Sequence, residues 1–200
     1  MVYDRKDTWY RKAKAEGYRS RAAYKLQELD RQFKLFRLGQ RVLDLGCAPG
    51  GWLQVAARVV GEQGRVVGID RLAVAPLDLP NVVVVMGDIQ APESLARLRE
   101  ALGGHADLVI SDMAPDTSGV GFADHARSIE LVRAALDVAR SQLRPGGALV
   151  AKVFEGPDLN PLVAEMRASF GEIRRVRLDT TRKGSRELYL IARPRLNRVP

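Results

Sequence analysis

Five short aliphatic runs constrain this 200-residue chain more than any other feature: 41-RVLDLG-46, 65-RVVGID-70, 82-VVVVMGD-88, 107-DLVISD-112 and 147-GALVAKV-153. They are apolar along nearly their whole length rather than at alternate positions, the pattern of strands covered on both faces. Helical spacing fills most of the gaps, roughly 50–60, 92–102, 123–142 and 157–169, while 71–80 is a proline-bearing loop. Such alternation builds a parallel sheet between two layers of helix. Two further strand candidates, 172-EIRRVRLD-179 and 186-RELYLIAR-193, are joined by the turn-like 180-TTRKGS-185, a link short enough to force antiparallel pairing. The expected fold is therefore α/β: a doubly wound, mostly parallel, seven-stranded sheet with an antiparallel C-terminal hairpin strand. Ahead of it, Ala23, Leu26, Leu29 and Phe33 predict a helix, with Ser20 as its N-cap and Gly39 as its stop. One domain is expected over residues 20–200, after a basic extension over 1–19 that is loosely helical or disordered until bound.

The charge is unevenly distributed. Residues 1–41 carry a net +7, residues 42–170 a net −5 and residues 171–200 a net +6, within a total of +8. Two dense basic ends around an acidic middle point to a polyanionic partner. No run approaches the roughly 20 apolar residues that span a bilayer, and the charged first forty residues hold no secretory leader. A soluble, cytoplasmic protein with no membrane partner is expected. Cys47 is the sole cysteine, so no internal disulfide forms and a reducing compartment fits.

The first strand runs into a glycine-rich turn, 44-DLGCAPGGW-52, where an open α/β sheet places its ligand. A phosphate-binding P-loop needs Lys followed by Ser or Thr after its last glycine, and Gly51 is followed by Trp52. A dinucleotide loop needs G-x-G-x-x-G, whereas the glycines here are 46, 50 and 51, with Pro49 lacking an N–H to give. A nucleoside without phosphate fits better. Asp70, ending the second strand, is placed for ribose hydroxyls; Asp88, after the third, for an adenine edge; Asp44 for a cationic amino-acid tail. Several carboxylates and no loop lysine suit a positively charged ligand, and S-adenosylmethionine has that character. The plainer alternative is a glycine turn that only permits close strand-to-helix packing.

Five segments, 18-YRSRAAYKL-26, 44-DLGCAPGGW-52, 111-SDMAPDTSG-119, 151-AKVFEG-156 and 185-SRELYL-190, occur in the order and spacing of the FtsJ-type (RrmJ-like) ribose 2′-O-methyltransferases. The resemblance runs from about Tyr18 to Arg193. It is nearest to bacterial members that methylate a uridine in the peptidyl-transferase region of large-subunit 23S ribosomal RNA. It implies a Rossmann-like methyltransferase fold and S-adenosylmethionine as cofactor. It also implies a catalytic set of Lys25, Asp112, Lys152 and Glu187, and cofactor contacts at Gly50, Trp52, Asp70, Asp88 and Asp112. Gly46 and Asp44 join those contacts from the loop itself. Cys47 departs from the alanine common in close relatives and reads as a small apolar substitute.

The residues support that chemistry on their own terms. Transfer to a ribose oxygen is an in-line displacement, so the hydroxyl must be aligned and its proton removed. Lys152 inside the apolar run ALVAKVF needs a reason to be there. An ordinary amine is overwhelmingly protonated at pH 7, so base and orienter both remain open for it, and the resemblance implies base. A base-stacking aromatic after Asp112-Met113-Ala114-Pro115 is lacking, which disfavours amino-group methylation; Cys47 lies in the turn, which disfavours a thiol nucleophile. His105 and His125 have no metal-ligand spacing, so no metal is expected. At the amino end Arg5, Lys6, Arg11, Lys12, Lys14, Arg19 and Arg21 are interleaved with Trp9, Tyr10 and Tyr18. That suits phosphates and unpaired bases, and Arg174, Arg175, Arg177, Arg182 and Lys183 add a second strip. The expected partner is large-subunit ribosomal RNA or the 50S particle, bound by a monomer. A tRNA ribose methyltransferase and a non-catalytic ribosome-assembly factor are the competing readings.

Overall fold

The computed structural model describes residues 8–115, 121–182 and 184–197. Its strands are β1 (Arg41–Leu45), β2 (Arg65–Asp70), β3 (Val82–Met86), β4 (Ala106–Ser111), β5 (Leu143–Phe154), β6 (Phe170–Val176) and β7 (Glu187–Arg195). They make one sheet in the order β3-β2-β1-β4-β5-β7-β6. β1 to β5 run parallel, and β7 lies antiparallel between β5 and β6. Strand order therefore reverses between β1 and β4, where such sheets open a crevice at their carboxyl ends. Six helices are described: α1 (Thr8–Ala15), α2 (Ala22–Phe33), α3 (Gly51–Val60), α4 (Pro92–Leu102), α5 (Gly121–Gln142) and α6 (Leu159–Met166). None is long and apolar enough to cross a membrane.

Two apolar layers sandwich the sheet, and strand parity sorts the residues between them. Leu43, Leu45, Val67, Ile69, Val109, Leu149, Ala151, Val153, Leu188 and Leu190 face the layer that holds α4, α5 and α6. Val42, Val66, Leu108, Ile110, Val150, Tyr189 and Ile191 face α2 and α3. Because successive side chains alternate, Asp44, Asp70 and Lys152 belong to the second face, as does Glu187 two residues before Tyr189. Asp112, directly after β4, continues the same row.

The strands and helices follow the pattern expected from the sequence, and the departures are local. Ser20 does not cap α2: Arg21 occupies the cap position without a side-chain bond, and Ser20 instead packs its hydroxyl where a side chain on Gly51 would stand. The helix stops at Lys34, which takes the left-handed conformation (φ 51°), five residues before Gly39. β6 ends at Val176, so ten residues, 177–186, link it to β7. Within the basic extension, Thr8–Ala15 form the helix α1. Ala13 is buried, and the Trp9 ring lies 5.1 Å from that of Tyr24 on α2. Residues 1–7 lie outside the described part. His125 is wholly buried on α5, its Nδ1 2.8 Å from the Phe154 carbonyl oxygen.

One buried carboxylate ties α2 to the end of the chain. Glu28 accepts from the Asp179 N–H (2.9 Å), the Thr180 N–H (3.1 Å) and the Thr180 hydroxyl (2.8 Å), more than 150 residues away in sequence. Glu28→Ala orphans these donors and is expected to cost about 1–3 kcal/mol in urea unfolding. A change below about 0.5 kcal/mol would mean that the anchor is dispensable.

Candidate active site

At the carboxyl end of the sheet, four charged groups and a phenol converge on the face toward α2. Lys152 of β5 stands directly opposite Tyr189 of β7 in the antiparallel ladder, and Phe154 opposite Glu187. The Lys152 ammonium reaches Asp112 twice, at 3.0 Å to Oδ1 and 2.5 Å to the backbone carbonyl oxygen. Lys25, projecting from α2, pairs with Glu187 Oε1 at 2.5 Å. Tyr189 joins the two ion pairs: its hydroxyl lies 2.7 Å from Asp112 Oδ1 and 3.4 Å from Glu187 Oε1. The Lys25 ammonium also lies 5.9 Å from the centre of the Tyr189 ring.

Burial makes this network matter. Lys25, Lys152 and Glu187 are each at most 9% exposed. Burial alone would raise the Asp112 carboxyl, but Lys152 and Lys25 beside it, with hydrogen bonds from Tyr189 and Lys152, hold it below the usual carboxylate range. The Tyr189 phenol is pushed well up by burial and by Asp112 and Glu187, so it stays protonated and donates. Sequence reading missed Tyr189, which looks like one more apolar residue in 187-ELYL-190; its signal was the two-residue spacing from Glu187, which puts both on one face.

Next to this cluster is a cleft of about 850 Å³, lined among others by Gly46, Asp70, Asp88, Asp112 and Met113. Gly46 is left-handed (φ 74°), and a Cβ there would collide with the Met113 side chain, so the turn is fixed by geometry that only glycine satisfies cheaply. The Asp70 carboxylate accepts the Ala48 N–H (2.9 Å) and the Leu72 N–H (2.8 Å), which aims it while leaving lone pairs over. Asp88 accepts the Gln90 N–H and faces Arg71 at 3.4 Å. Arg71, a wall of the cleft, was not picked out from the sequence. Gly50 and Trp52 stand off the cleft. Trp52 is 3% exposed and gives its indole N–H to the Ala22 carbonyl (2.7 Å), which ties α3 to α2.

Asp44 is the decisive group. It is 1% exposed, and neither of its carboxylate oxygens has a hydrogen-bond partner among the described residues. Burial, with Asp112 and Asp70 nearby, drives its carboxyl well above the usual range. Asp44 is not itself a lining residue of the cleft, but a buried carboxyl with no partner among the described residues has the chemistry to receive a ligand's cationic group. Burial beside Asp44 and Asp70 also drives the Cys47 thiol up, as befits an inert filler.

The chain matches the model of the FtsJ-like methyltransferases over residues 18–195. It belongs to that family. This FtsJ-like chain is 48% identical over 197 residues to ribosomal RNA large subunit methyltransferase E of Methanothrix thermoacetophila, covering 98% of this chain and 76% of the relative. It is 46% identical to the protein of the same name from Syntrophobacter fumaroxidans, with 96% of each covered. A Plasmodium falciparum protein solved as a ribosomal RNA methyltransferase superposes with a TM-score of 0.81 at 31% identity, over 90% of this chain and 100% of that one. Fibrillarin of Aeropyrum pernix, solved with natively bound S-adenosyl-L-methionine, matches in fold (TM-score 0.57, 20% identity, 78% and 67% covered). S-adenosylmethionine is the cofactor of this family, and a cleft walled by the carboxylates of Asp70, Asp88 and Asp112 has the chemistry to take a positively charged nucleoside.

Proposed function

We propose that the chain is an S-adenosylmethionine-dependent ribose 2′-O-methyltransferase of large-subunit ribosomal RNA. In this reading it modifies a uridine of the peptidyl-transferase region, with Lys152 as general base. The observation that carries it is the Lys152–Asp112 pair, which stands between the cofactor cleft and the buried Lys25–Glu187–Tyr189 group.

When bound, the cofactor supplies an electrophilic methyl group. The protein's part is to present an oxygen to it. Lys152 would take the 2′-hydroxyl proton as that oxygen accepts the methyl group. Asp112 then faces the resulting ammonium and stabilises it. Asp112, anchored by Tyr189, fixes where Lys152 can point; Lys25, fixed by Glu187, offers N–H donors to the same oxygen. Lys25, Lys152 and Glu187 are buried, so their charges act more strongly than they would in bulk water.

RNA reaches the site past two basic surfaces. Arg11, Lys12 and Lys14 are exposed on α1, where Lys12 lies 5.0 Å from the Tyr24 ring centre; Arg21 follows before α2. Arg174 projects from β6, the sheet edge, on the face of the catalytic group beside Glu172, while Arg175 lies on the opposite face against Asn160 of α6, with Arg182 in the loop beyond. Arginine on an edge strand also discourages sheet-to-sheet pairing. Arg5, Lys6 and Lys183 lie outside the described residues.

The test is to incubate the protein with labelled cofactor and ribosomal subunits, or total RNA, from cells lacking ribose methylation. Label is expected at a large-subunit uridine whose 3′ phosphodiester has become resistant to alkali. Label in tRNA would favour the tRNA reading, and no label would favour an assembly factor.

A further inference from the structure

The sequence places Arg19 among the phosphate contacts, but the structure assigns its guanidinium to the protein. One nitrogen, Nη1, donates to the carbonyl oxygens of Ala75 (2.5 Å) and Pro49 (3.3 Å), and Nη2 donates to that of Pro76. Pro49 belongs to the glycine turn; Ala75 and Pro76 belong to the loop whose first residues, Arg71 and Leu72, wall the cleft. The Arg19 backbone N–H donates to Gln54 Oε1 (2.9 Å), and Gln54 returns its amide to the Gly17 carbonyl (2.9 Å). Gln54 of α3 thereby holds the backbone on both sides of Tyr18, at Gly17 and at Arg19. Gly50, left-handed at φ 110°, is packed against it: a Cβ there would sit 3.3 Å from Arg19 Cδ and 3.4 Å from Leu77 Cδ1.

We infer that Arg19 is a positioning residue for the methyl donor, strapping the two loops that flank the cofactor cleft, and is not an RNA phosphate ligand. A planar guanidinium presents several N–H groups in a fixed fork, which lets one side chain serve three carbonyls; a lysine ammonium has neither the spread nor the planarity. A guanidinium so engaged has little left to offer a phosphate. The strap lies in the linker between α1 and α2, six residues before Lys25, so one side chain sets the cofactor walls relative to the helix that carries a catalytic lysine. The inference rests on the cofactor, and holds whichever nucleotide accepts the methyl group.

Arg19→Lys retains the charge and keeps the fold at risk small; Arg19→Ala removes both charge and strap. For each, S-adenosylmethionine affinity is measured by titration calorimetry on the RNA-free protein. RNA affinity is measured against salt, and melting without cofactor alongside. The expected result is a tenfold or greater rise in cofactor Kd for both variants, about what loss of one or two charge-assisted hydrogen bonds yields. The salt slope for RNA stays as in the wild type, and the single-turnover rate at saturating donor stays within a few-fold. Unchanged cofactor affinity with a salt slope lowered by about one would restore the phosphate role and overturn the inference. Equal losses of donor and RNA affinity with a collapsed melting transition in Arg19→Lys would overturn it too.

Discussion

Lys152→Ala is expected to bind S-adenosylmethionine within a few-fold of the wild type and to transfer methyl groups about 10²- to 10⁴-fold more slowly. That is the range for a missing general base, about 2.7–5.4 kcal/mol in the barrier. Cofactor binding survives because the amine faces Asp112 and Tyr189's ladder position rather than the cleft lining. Asp112 also keeps Lys25 and its bond from Tyr189, so its charge is not abandoned. Lys152→Arg separates the two roles open to this residue. An arginine keeps a cation beside Asp112 but never gives up its proton at accessible pH. If Lys152 removes the proton, Arg is as inactive as Ala; if it only orients the hydroxyl, Arg retains much of the rate. Single-turnover transfer by Lys152→Arg within threefold of the wild type would contradict the base assignment.

Asp44→Asn carries the second large effect. Breaking a buried ion pair by removing one partner costs about 3–5 kcal/mol, so cofactor Kd is expected to rise by about two to four orders of magnitude in calorimetry. The same group sets a pH dependence whose sign follows from its raised carboxyl. A group with a folded-state pKa above its unfolded value of 3.8 contributes stability that is fully present below 3.8 and is lost as pH rises through the folded value. The cofactor-free protein should therefore lose stability over that rise, and Asp44→Asn should abolish the loss. Donor binding supplies the missing cation and expels the Asp44 proton. Calorimetry in two buffers of different ionisation enthalpy is then expected to show proton release in the wild type and none in the variant. Equal proton counts, or a Kd within threefold, would remove Asp44 from the cofactor site.

Much of the site was legible because strand parity is legible. Asp44, Asp70 and Lys152 are even-numbered on parallel strands whose registers align, and Asp112 continues the even row just past β4, so one sheet face collects them. The antiparallel return of β7 brought Glu187 and Tyr189 to that face from the far end of the chain. What was hidden depends on partners remote in sequence. Nothing near Arg19 in the sequence announces the carbonyls 56 and 57 residues away that its guanidinium meets. Nor does the sequence beside the glycine turn show that the Ala22 carbonyl takes the Trp52 N–H. Ser20 had the chemistry of a cap, but Gly51 left a hole that its hydroxyl fills. Local chemistry fixes what a residue can do; tertiary contacts choose among the options.

A crystal structure of the protein soaked with S-adenosylmethionine tests the account most directly. The account predicts an α-ammonium against Asp44, ribose hydroxyls at Asp70, and the sulfonium methyl directed at the Lys25, Asp112, Lys152 and Glu187 group. A cofactor lodged away from Asp44, or with its methyl turned from those four side chains, would contradict it.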